Sequence, residues 1–293
     1  MDIVITYVDG SDPLWQADYA RCIGKQALTK RYRDWGTLPY LFRGIEQCMP
    51  FIDNVFLVVA RDSQVPKWIN RDAVKVVLHE DFIPAEFLPT FSASAIEMFL
   101  HLIKGLDEQY IYFNDDFYPL CESSATDFFR DGKAAAHMAH HLCTFGNLFR
   151  RFVRGSDRMA RRAAGVSKSL SYLRPQHSCQ PMLRSVCAEL YDNHKDEIHA
   201  SVTPLREPHN YNQYLYTDYA YFTGHTFKQR ISNRHLSLSV ATPDSIHDSI
   251  NGSPKKFVCI NDVQMSEDKY ERLHKAMHDA FMQRFPHKSR FEL

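Results

Sequence analysis

Short runs of β-branched and aliphatic residues, each followed by polar turn residues, form the clearest pattern along the chain. The runs lie at residues 2–8, 54–60, 74–78, 110–113 and 257–260. Their length and composition predict buried strands. Apolar residues at helical spacing predict helices over residues 38–49, 93–104 and 267–285. Because strands and helices alternate over the first part of the chain, we predict an α/β fold with a mainly parallel sheet flanked by helices.

The chain has 293 residues, which is enough for one large domain, and no segment of it repeats another. We expect a single domain over residues 1–293. Within it we expect an α/β core over residues 1–120, a mostly helical insertion over 121–215, and a return strand with a C-terminal helix over 216–293.

Charge is balanced over the whole chain but not locally. There are 35 Lys and Arg residues and 35 Asp and Glu residues, so no net field would draw the chain onto nucleic acid. Residues 147–168, in contrast, hold seven basic residues and one acid. Arg150, Arg154, Arg158 and Arg162 are spaced to form one stripe of a helix. Such a stripe is usually a solvated face, but an anionic partner is an alternative: a phosphate-rich substrate or a lipid headgroup at a membrane surface.

The cysteines argue against disulfides and structural zinc. There are seven of them, and their spacing is irregular with no Cys-x-x-Cys pair. The sequence also lacks an apolar run long enough for a membrane-spanning helix, and its first residues do not resemble a signal peptide. We therefore expect a cytoplasmic protein, with peripheral contact at the inner face of the membrane as a further option.

Two acidic turns lie where buried strands end. Asn114, Asp115 and Asp116 follow the fourth strand, and a turn with Asp9, Gly10 and Asp12 follows the first. In parallel α/β sheets, ligands bind beyond the carboxyl ends of the strands. Adjacent carboxylates there favour a divalent cation that holds phosphate oxygens, although a solvated turn is the simpler alternative. Elsewhere, Ser94 and Glu97 fit a helix capping box, although both could instead lie just inside the first turn, and nothing local distinguishes His177 or Arg206.

Four segments of the sequence, taken together, resemble the Stealth family. The first is residues 3–15 (Ile-Val-Ile-Thr-Tyr-Val-Asp-Gly-Ser-Asp-Pro-Leu-Trp), with Tyr7 where the family usually has Trp. The second and longest runs from residue 38 to residue 117. The third is looser and includes His177 and Arg206, and the fourth is residues 257–262 (Phe-Val-Cys-Ile-Asn-Asp).

The resemblance implies a Rossmann-like fold similar to GT-A nucleotide-sugar transferases, with the whole chain as one catalytic domain. It also implies a phosphotransferase reaction in capsular or exopolysaccharide synthesis. Sugar-1-phosphate would move from a nucleotide-diphosphate sugar, with a UDP-linked hexose or N-acetylhexosamine as the expected donor, to a hydroxyl of a glycan or lipid-linked glycan. A phosphodiester would form, and nucleoside monophosphate would leave.

Family positions carried over to this chain give each candidate residue a role. Catalytic roles fall on Glu97, Asp116, His177 and Arg206, donor contacts on Asp9, Gly10, Asp12 and Asn114, and binding of Mg²⁺ or Mn²⁺ on Asp115, Asp116, Asn261 and Asp262. The base is left open between His177 and Asp116. Two rival hypotheses are a metal-dependent glycosyltransferase that releases nucleoside diphosphate and a non-catalytic module that binds anionic polymer.

Overall fold

A computed structural model describes residues 1–24, 34–143 and 147–293 of the chain. The fold is mixed α/β with a mostly parallel central sheet and helices, which confirms the predicted fold class. Among the described residues, no helix is both long and apolar enough to cross a membrane.

The predicted strands form close to their predicted positions, and further short strands join them. The strands are β1 (Asp2–Thr6), β2 (Asn54–Val59), β3 (Val74–Leu78), β4 (Gln109–Asn114), β5 (Phe117–Pro119), β6 (Phe129–Arg130), β7 (Lys133–Ala136), β8 (Met138–Leu142), β9 (Ser171–Pro175), β10 (Gln180–Leu183), β11 (Thr226–Lys228), β12 (Asn233–Ser237) and β13 (Phe257–Asn261). The central sheet has the strand order β10-β4-β1-β2-β3, with β10 antiparallel to β4. Its inner strands are buried on both faces, as continuous apolar runs predict.

Helices 38–49 and 267–285 were also predicted almost to the residue. The helices are α1 (Pro13–Ile23), α2 (Leu38–Cys48), α3 (Ala93–Glu97), α4 (Leu148–Ala163), α5 (Arg184–Asn193), α6 (Lys195–Ser201), α7 (Tyr214–Phe222), α8 (Pro243–His247) and α9 (Glu267–Arg284). The helix predicted over residues 93–104 is shorter: α3 ends at Glu97, and a 3₁₀ turn follows at Leu100–Leu102.

Ser94 and Glu97 do not form a capping box and instead lie within the helix, the alternative that the sequence left open. Helix α3 begins after Ser92, whose side chain makes no capping hydrogen bond, and Glu97 is the last residue of the helix. The Glu97 side chain is instead engaged by groups from more distant parts of the sequence.

The chain divides into two compact units, each built from separate stretches of sequence. Unit 1 comprises residues 1–2, 77–112 and 125–231, and unit 2 comprises residues 3–76, 113–124 and 232–293. In unit 1, α4 packs on α7 and β9, and Val153, Tyr172 and Tyr214 form a buried cluster. Unit 2 contains a three-stranded sheet of order β12-β13-β5. The sequential segments predicted to end near residues 120 and 215 stay a prediction.

Candidate active site

The aspartate pair at the end of β4 is placed by strand pairing within unit 2. Asp115 and Asp116 form the turn between β4 and β5, and β5 pairs antiparallel with β13. The backbone N–H of Ile260 on β13 donates to the carbonyl oxygen of Asp116 at 2.9 Å. Because Asp262 follows Ile260 by two residues, this pairing brings an acid from far along the sequence to the aspartate turn.

A cavity of about 190 Å³ lies in unit 2, and Asp115, Asp116 and Asp262 all line it. The full lining is Tyr7, Val8, Asp34, Trp35, Thr37, Leu38, Asp115, Asp116, Tyr118, Leu238, Ile260, Asp262 and Met277. Four of these described residues are acids, and none is Lys or Arg. A diphosphate would therefore meet only negative charge here unless a cation entered with it.

The environment of the aspartate pair opposes its ionisation. Burial and repulsion from Asp116 raise the pKa of Asp115 to about 7, and burial raises the pKa of Asp116 to about 6. The Cys259 thiol donates to Oδ2 of Asp116 at 3.5 Å and partly offsets that rise. Oδ1 of Asp116 is buried and has no hydrogen-bond partner within the described ranges.

These features fit a divalent cation. Mg²⁺ and Mn²⁺ prefer oxygen ligands, and a buried carboxylate oxygen without a partner is costly unless something satisfies it. A cation at Asp115 and Asp116 would offset the mutual repulsion of the pair. The donor set is therefore suited to a hard metal ion.

The two asparagines of the prediction differ in their surroundings. Asn114 is the half-buried last residue of β4. Asn261 ends β13, and its Oδ1 lies 2.9 Å from the Cys259 sulfur. The Cys259 thiol thus lies within reach of both Asp116 and Asn261, so it is a common neighbour of these two predicted metal ligands.

The first acidic turn has a structural explanation. Oδ1 of Asp9 accepts hydrogen bonds from the backbone N–H and the hydroxyl of Ser11 at 2.8 and 2.6 Å. Asp12 caps helix α1 by accepting from the Leu14 N–H, and its other oxygen accepts from the Ser63 hydroxyl at 2.8 Å. Gly10 is buried. The contact of this turn with a nucleotide stays a prediction.

Glu97 lies at the centre of a hydrogen-bond group in unit 1. Its oxygens accept from the Gln213 backbone N–H at 2.8 Å and from the Tyr112 hydroxyl at 3.3 Å. Burial raises the pKa of Glu97 to about 7, against the lowering effects of these donors and of the Arg206 charge. The structure thus places Glu97 within electrostatic reach of Arg206, which is itself exposed.

His177 lies in the same unit, half-buried between β9 and β10. Its Nδ1 lies 3.4 Å from the hydroxyl of Tyr214, the first residue of α7. Since Gln213, the residue before Tyr214, donates to Glu97, the start of α7 contacts both predicted residues.

Sequence reasoning missed five residues with a hydrogen-bonding side chain that line the cavity. Tyr7 donates to Asp34 at 3.3 Å, and Tyr118 and Thr37 share a hydrogen bond of 2.8 Å. Trp35 also lines the cavity, and its indole N–H has no partner in the part of the chain that the structure describes. Of these residues, only Tyr7 stood out in the sequence, because the family usually has Trp at that position. The segment around Asp34 lacks a periodic pattern that would have marked it.

Two family models match the chain. The model "Stealth protein CR2, conserved region 2" matches residues 31–137, and "Stealth protein CR4, conserved region 4" matches residues 248–293. The first match includes Glu97 and the Asn114 to Asp116 turn, and the second includes Asn261 and Asp262.

Similarity to curated proteins extends over the whole chain. Receptor polysaccharide phosphotransferase WefC of Streptococcus oralis is 32% identical, over 100% of this chain and 99% of that protein. The chain belongs to the Stealth family. Capsular polysaccharide phosphotransferase WcwK of Streptococcus pneumoniae is 31% identical over the same shares, and exopolysaccharide phosphotransferase cps2G of Lactiplantibacillus plantarum is 28% identical over 100% and 96%. The predictions of an enzyme and of the phosphotransferase class are confirmed.

The solved structures similar to this Stealth protein include the galactosyltransferase LgtC in complex with donor and acceptor sugar analogs. Its identity is 11% and its TM-score 0.42, and the match covers 97% of this chain and 96% of that one. At these values the similarity carries no conclusion about the reaction.

Proposed function

We propose that this Stealth protein transfers sugar-1-phosphate from a nucleotide-diphosphate sugar to a glycan hydroxyl in capsular or exopolysaccharide synthesis. One observation carries the proposal: an acidic cavity lies at the strand end that the family model covers, and it contains a buried Asp116 oxygen that has no partner among the described residues. The full-length relatives named as polysaccharide phosphotransferases support the reaction class. The donor is a UDP-linked hexose or N-acetylhexosamine.

The reaction exchanges one oxygen on phosphorus for another. The acceptor hydroxyl oxygen forms a bond to the phosphorus that carries the sugar, and the pyrophosphate P–O bond breaks. Nucleoside monophosphate leaves with the bonding electrons, and the acceptor proton passes to a base. Phosphoryl transfer depends chiefly on in-line positioning and on neutralisation of the phosphate oxygens.

Asp115, Asp116 and Asp262, with Asn261, would hold Mg²⁺ or Mn²⁺. The ion would neutralise the charge on the diphosphate, which the acidic lining of the cavity cannot do. This assignment accounts for the unpartnered oxygen of Asp116 and for the raised pKa values of the aspartate pair.

The base is either His177 or Asp116, and a different observation supports each. The Tyr214 hydroxyl beside Nδ1 of His177 would fix the imidazole ring so that Nε2 could accept the proton. For Asp116, a pKa of about 6 is suited to proton transfer near neutral pH.

Arg206 and Glu97 form the second part of the proposal. The exposed guanidinium of Arg206 would bind the transferred phosphate through its planar fork. Glu97, held by Gln213 and Tyr112, would orient Arg206 through its charge. Asp9, Gly10, Asp12 and Asn114 would contact the nucleotide, with Gly10 allowing close approach to the backbone.

We also propose a cytoplasmic location at the inner face of the membrane, with a glycan or lipid-linked glycan as acceptor. All seven cysteines are free thiols in the structure, as a reducing compartment favours.

The spent nucleotide tests the reaction. We would incubate the protein with UDP- and GDP-sugars, acceptor glycan and Mg²⁺, and separate the nucleotides by chromatography. The proposal expects nucleoside monophosphate, with an ¹⁸O label in the bridge between sugar and phosphorus retained in the product. Release of nucleoside diphosphate with that label would instead establish an ordinary glycosyltransferase and overturn the proposal.

A further inference from the structure

Four large apolar side chains between residues 142 and 170 of unit 1 are exposed. Leu142 is 72% exposed and Leu170 is 88% exposed, and Leu148 and Phe149 are also exposed. We refer to these four residues as the apolar tip. Isolated exposed leucines are ordinary in soluble proteins, but a group of them marks a contact surface.

Secondary structure gathers the tip. Strands β8 and β9 form an antiparallel pair in which Leu142 faces Ser171, and the Cys143 N–H donates to the Leu170 carbonyl at 3.0 Å. The two most exposed leucines therefore lie at one end of this pair. Helix α4, which packs on β9, begins with Leu148 and Phe149.

The tip is connected to a candidate catalytic residue through Phe149. The Phe149 ring lies edge-on to Tyr214 at 6.2 Å, and the Arg174 guanidinium lies over the same ring at 5.5 Å. Since the Tyr214 hydroxyl is next to His177, the tip adjoins the part of unit 1 that the proposed function uses.

The predicted basic stripe is only partly available to a partner. Helix α4 forms as predicted, but Arg162 is ion-paired with Glu197 and Arg154 is half-buried. Arg150 and Arg158 of the stripe are exposed, and so is Arg151. The single acid in this helix, Asp157, is buried and ion-paired with Arg161 at 2.9 Å.

Arg150 and Arg151 are poorly placed for helix stability. They lie at the start of α4, where the helix dipole favours acids, and no acid occupies the first turn. Because these arginines oppose the helix dipole without a compensating contact among the described residues that stabilises the fold, their position points to a functional role.

The chemistry of the surface fits a lipid bilayer. Exposed apolar side chains beside exposed arginines match a membrane surface, which offers an acyl interior and anionic headgroups. A soluble polyanion would need the arginines but not the leucines.

We propose that the apolar tip and Arg150 with Arg151 dock this protein on an anionic lipid bilayer. The leucines and Phe149 enter the boundary between headgroups and acyl chains, and the arginines contact anionic headgroups. Only the purpose of this docking rests on the proposed function: it would hold the enzyme where a lipid-linked acceptor is presented.

Vesicle flotation of the full chain tests the surface without donor or acceptor. We expect binding to phosphatidylglycerol-containing vesicles, weaker binding at high salt, and little binding to pure phosphatidylcholine. The L142S/L170S double variant should bind at least about tenfold more weakly, because two leucines lose their insertion. The R150E/R151E variant should lose binding to anionic vesicles while improving the charge pattern of α4, so misfolding would not explain its loss.

Matched controls come from exposed residues of unit 2. Val240, which is 80% exposed, replaced by Ser, and Arg272→Glu on α9, should bind as the wild type does. Absence of wild-type binding would overturn the proposal. The proposal would also be overturned if R150E/R151E lost all vesicle binding while L142S/L170S lost none, because that result would assign the surface to a polyanionic glycan. Because vesicle binding needs no turnover, its result is separate from the nucleotide-release result.

Discussion

At the scale of single residues, the informative groups are buried polar atoms without partners. Asp116 presents one such oxygen at the wall of a cavity, where a cation could satisfy it. Asp218, on α7 of unit 1, has no partner for either oxygen among the described residues and is fully buried. The first arrangement is typical of a binding site, whereas the burial of the second raises its pKa and favours the protonated carboxyl.

Replacing Asp116 with Asn should reduce nucleotide release by about 10²–10³-fold, because a charge that faces the transferring group is lost. The side chain keeps its shape, so the fold should persist. The measurement is the rate of nucleoside monophosphate release at saturating donor, with circular dichroism as the check on folding. Asp279→Asn, an exposed acid on α9, should leave the rate unchanged. A folded D116N protein with wild-type turnover would exclude Asp116 from the site.

Asp218 should make stability depend on pH. Burial and repulsion from Asp157 raise its pKa well above the ordinary 3.8, although Arg161 lowers it. The folded state keeps a proton that the unfolded chain has lost, so this group's contribution to the free energy of unfolding falls as pH rises above about 4. Asp218→Asn should therefore be more stable than wild type at neutral pH, and the difference should shrink towards pH 4.

Urea unfolding at several pH values measures this difference, and each unit of pKa shift corresponds to about 1.4 kcal/mol. Asp192→Asn, an exposed acid on α5, serves as the comparison and should show no such trend. A stability gain for D218N that is the same at acidic and neutral pH would show that the carboxyl does not titrate as inferred.

At the scale of elements, the strands and helices with a strong apolar pattern could be predicted from the sequence, whereas the short strands that pair with them could not. β13 was predicted at 257–260 and forms at Phe257–Asn261, but its partner β5 has three residues including a proline, too few for a periodic signal. That pairing brings Asp262 to the aspartate turn, so the sequence named the acids without showing how they meet. β10 was missed for the same reason, because it is short and contains Pro181.

The Asp9–Asp12 segment was predicted as a turn, but the prediction left out the helix that starts directly after it. Asp12 is followed by Pro13 at the first helical position, a common start of a helix, and α1 does begin there. Asp12→Ala should lower the free energy of unfolding by about 1 kcal/mol, and Asp12→Asn, which keeps the acceptor oxygen, by less. Chemical unfolding measures both variants. If Asp12 also contacts nucleotide, both should raise the KM for donor; wild-type stability of D12A would contradict the capping role.

At the scale of the whole molecule, a net charge of zero conceals separate local fields. Unit 2 holds a cavity with four acids and no basic residue in its described lining, and unit 1 holds a helix with a strongly basic surface. Whole-chain composition showed only that no net charge would draw the chain onto nucleic acid, and it could not identify an anionic donor site. Because the described lining of the cavity carries no basic residue, a diphosphate bound there would need positive charge from elsewhere, such as a divalent cation.

This requirement makes metal and nucleotide binding interdependent. Mg²⁺ or Mn²⁺ should raise the Tm of the wild type, by about 5 °C when the ion is present at a hundredfold excess over its Kd. UDP alone, with chelator present, should not raise the Tm, because the acids lining the cavity repel the diphosphate. UDP together with the metal should raise the Tm more than the metal alone. Differential scanning fluorimetry measures all three conditions. Asp116→Asn should lose the metal-dependent rise while Asp279→Asn keeps it. A rise with UDP and chelator equal to that with UDP and metal would mean that the cavity acids do not govern donor binding.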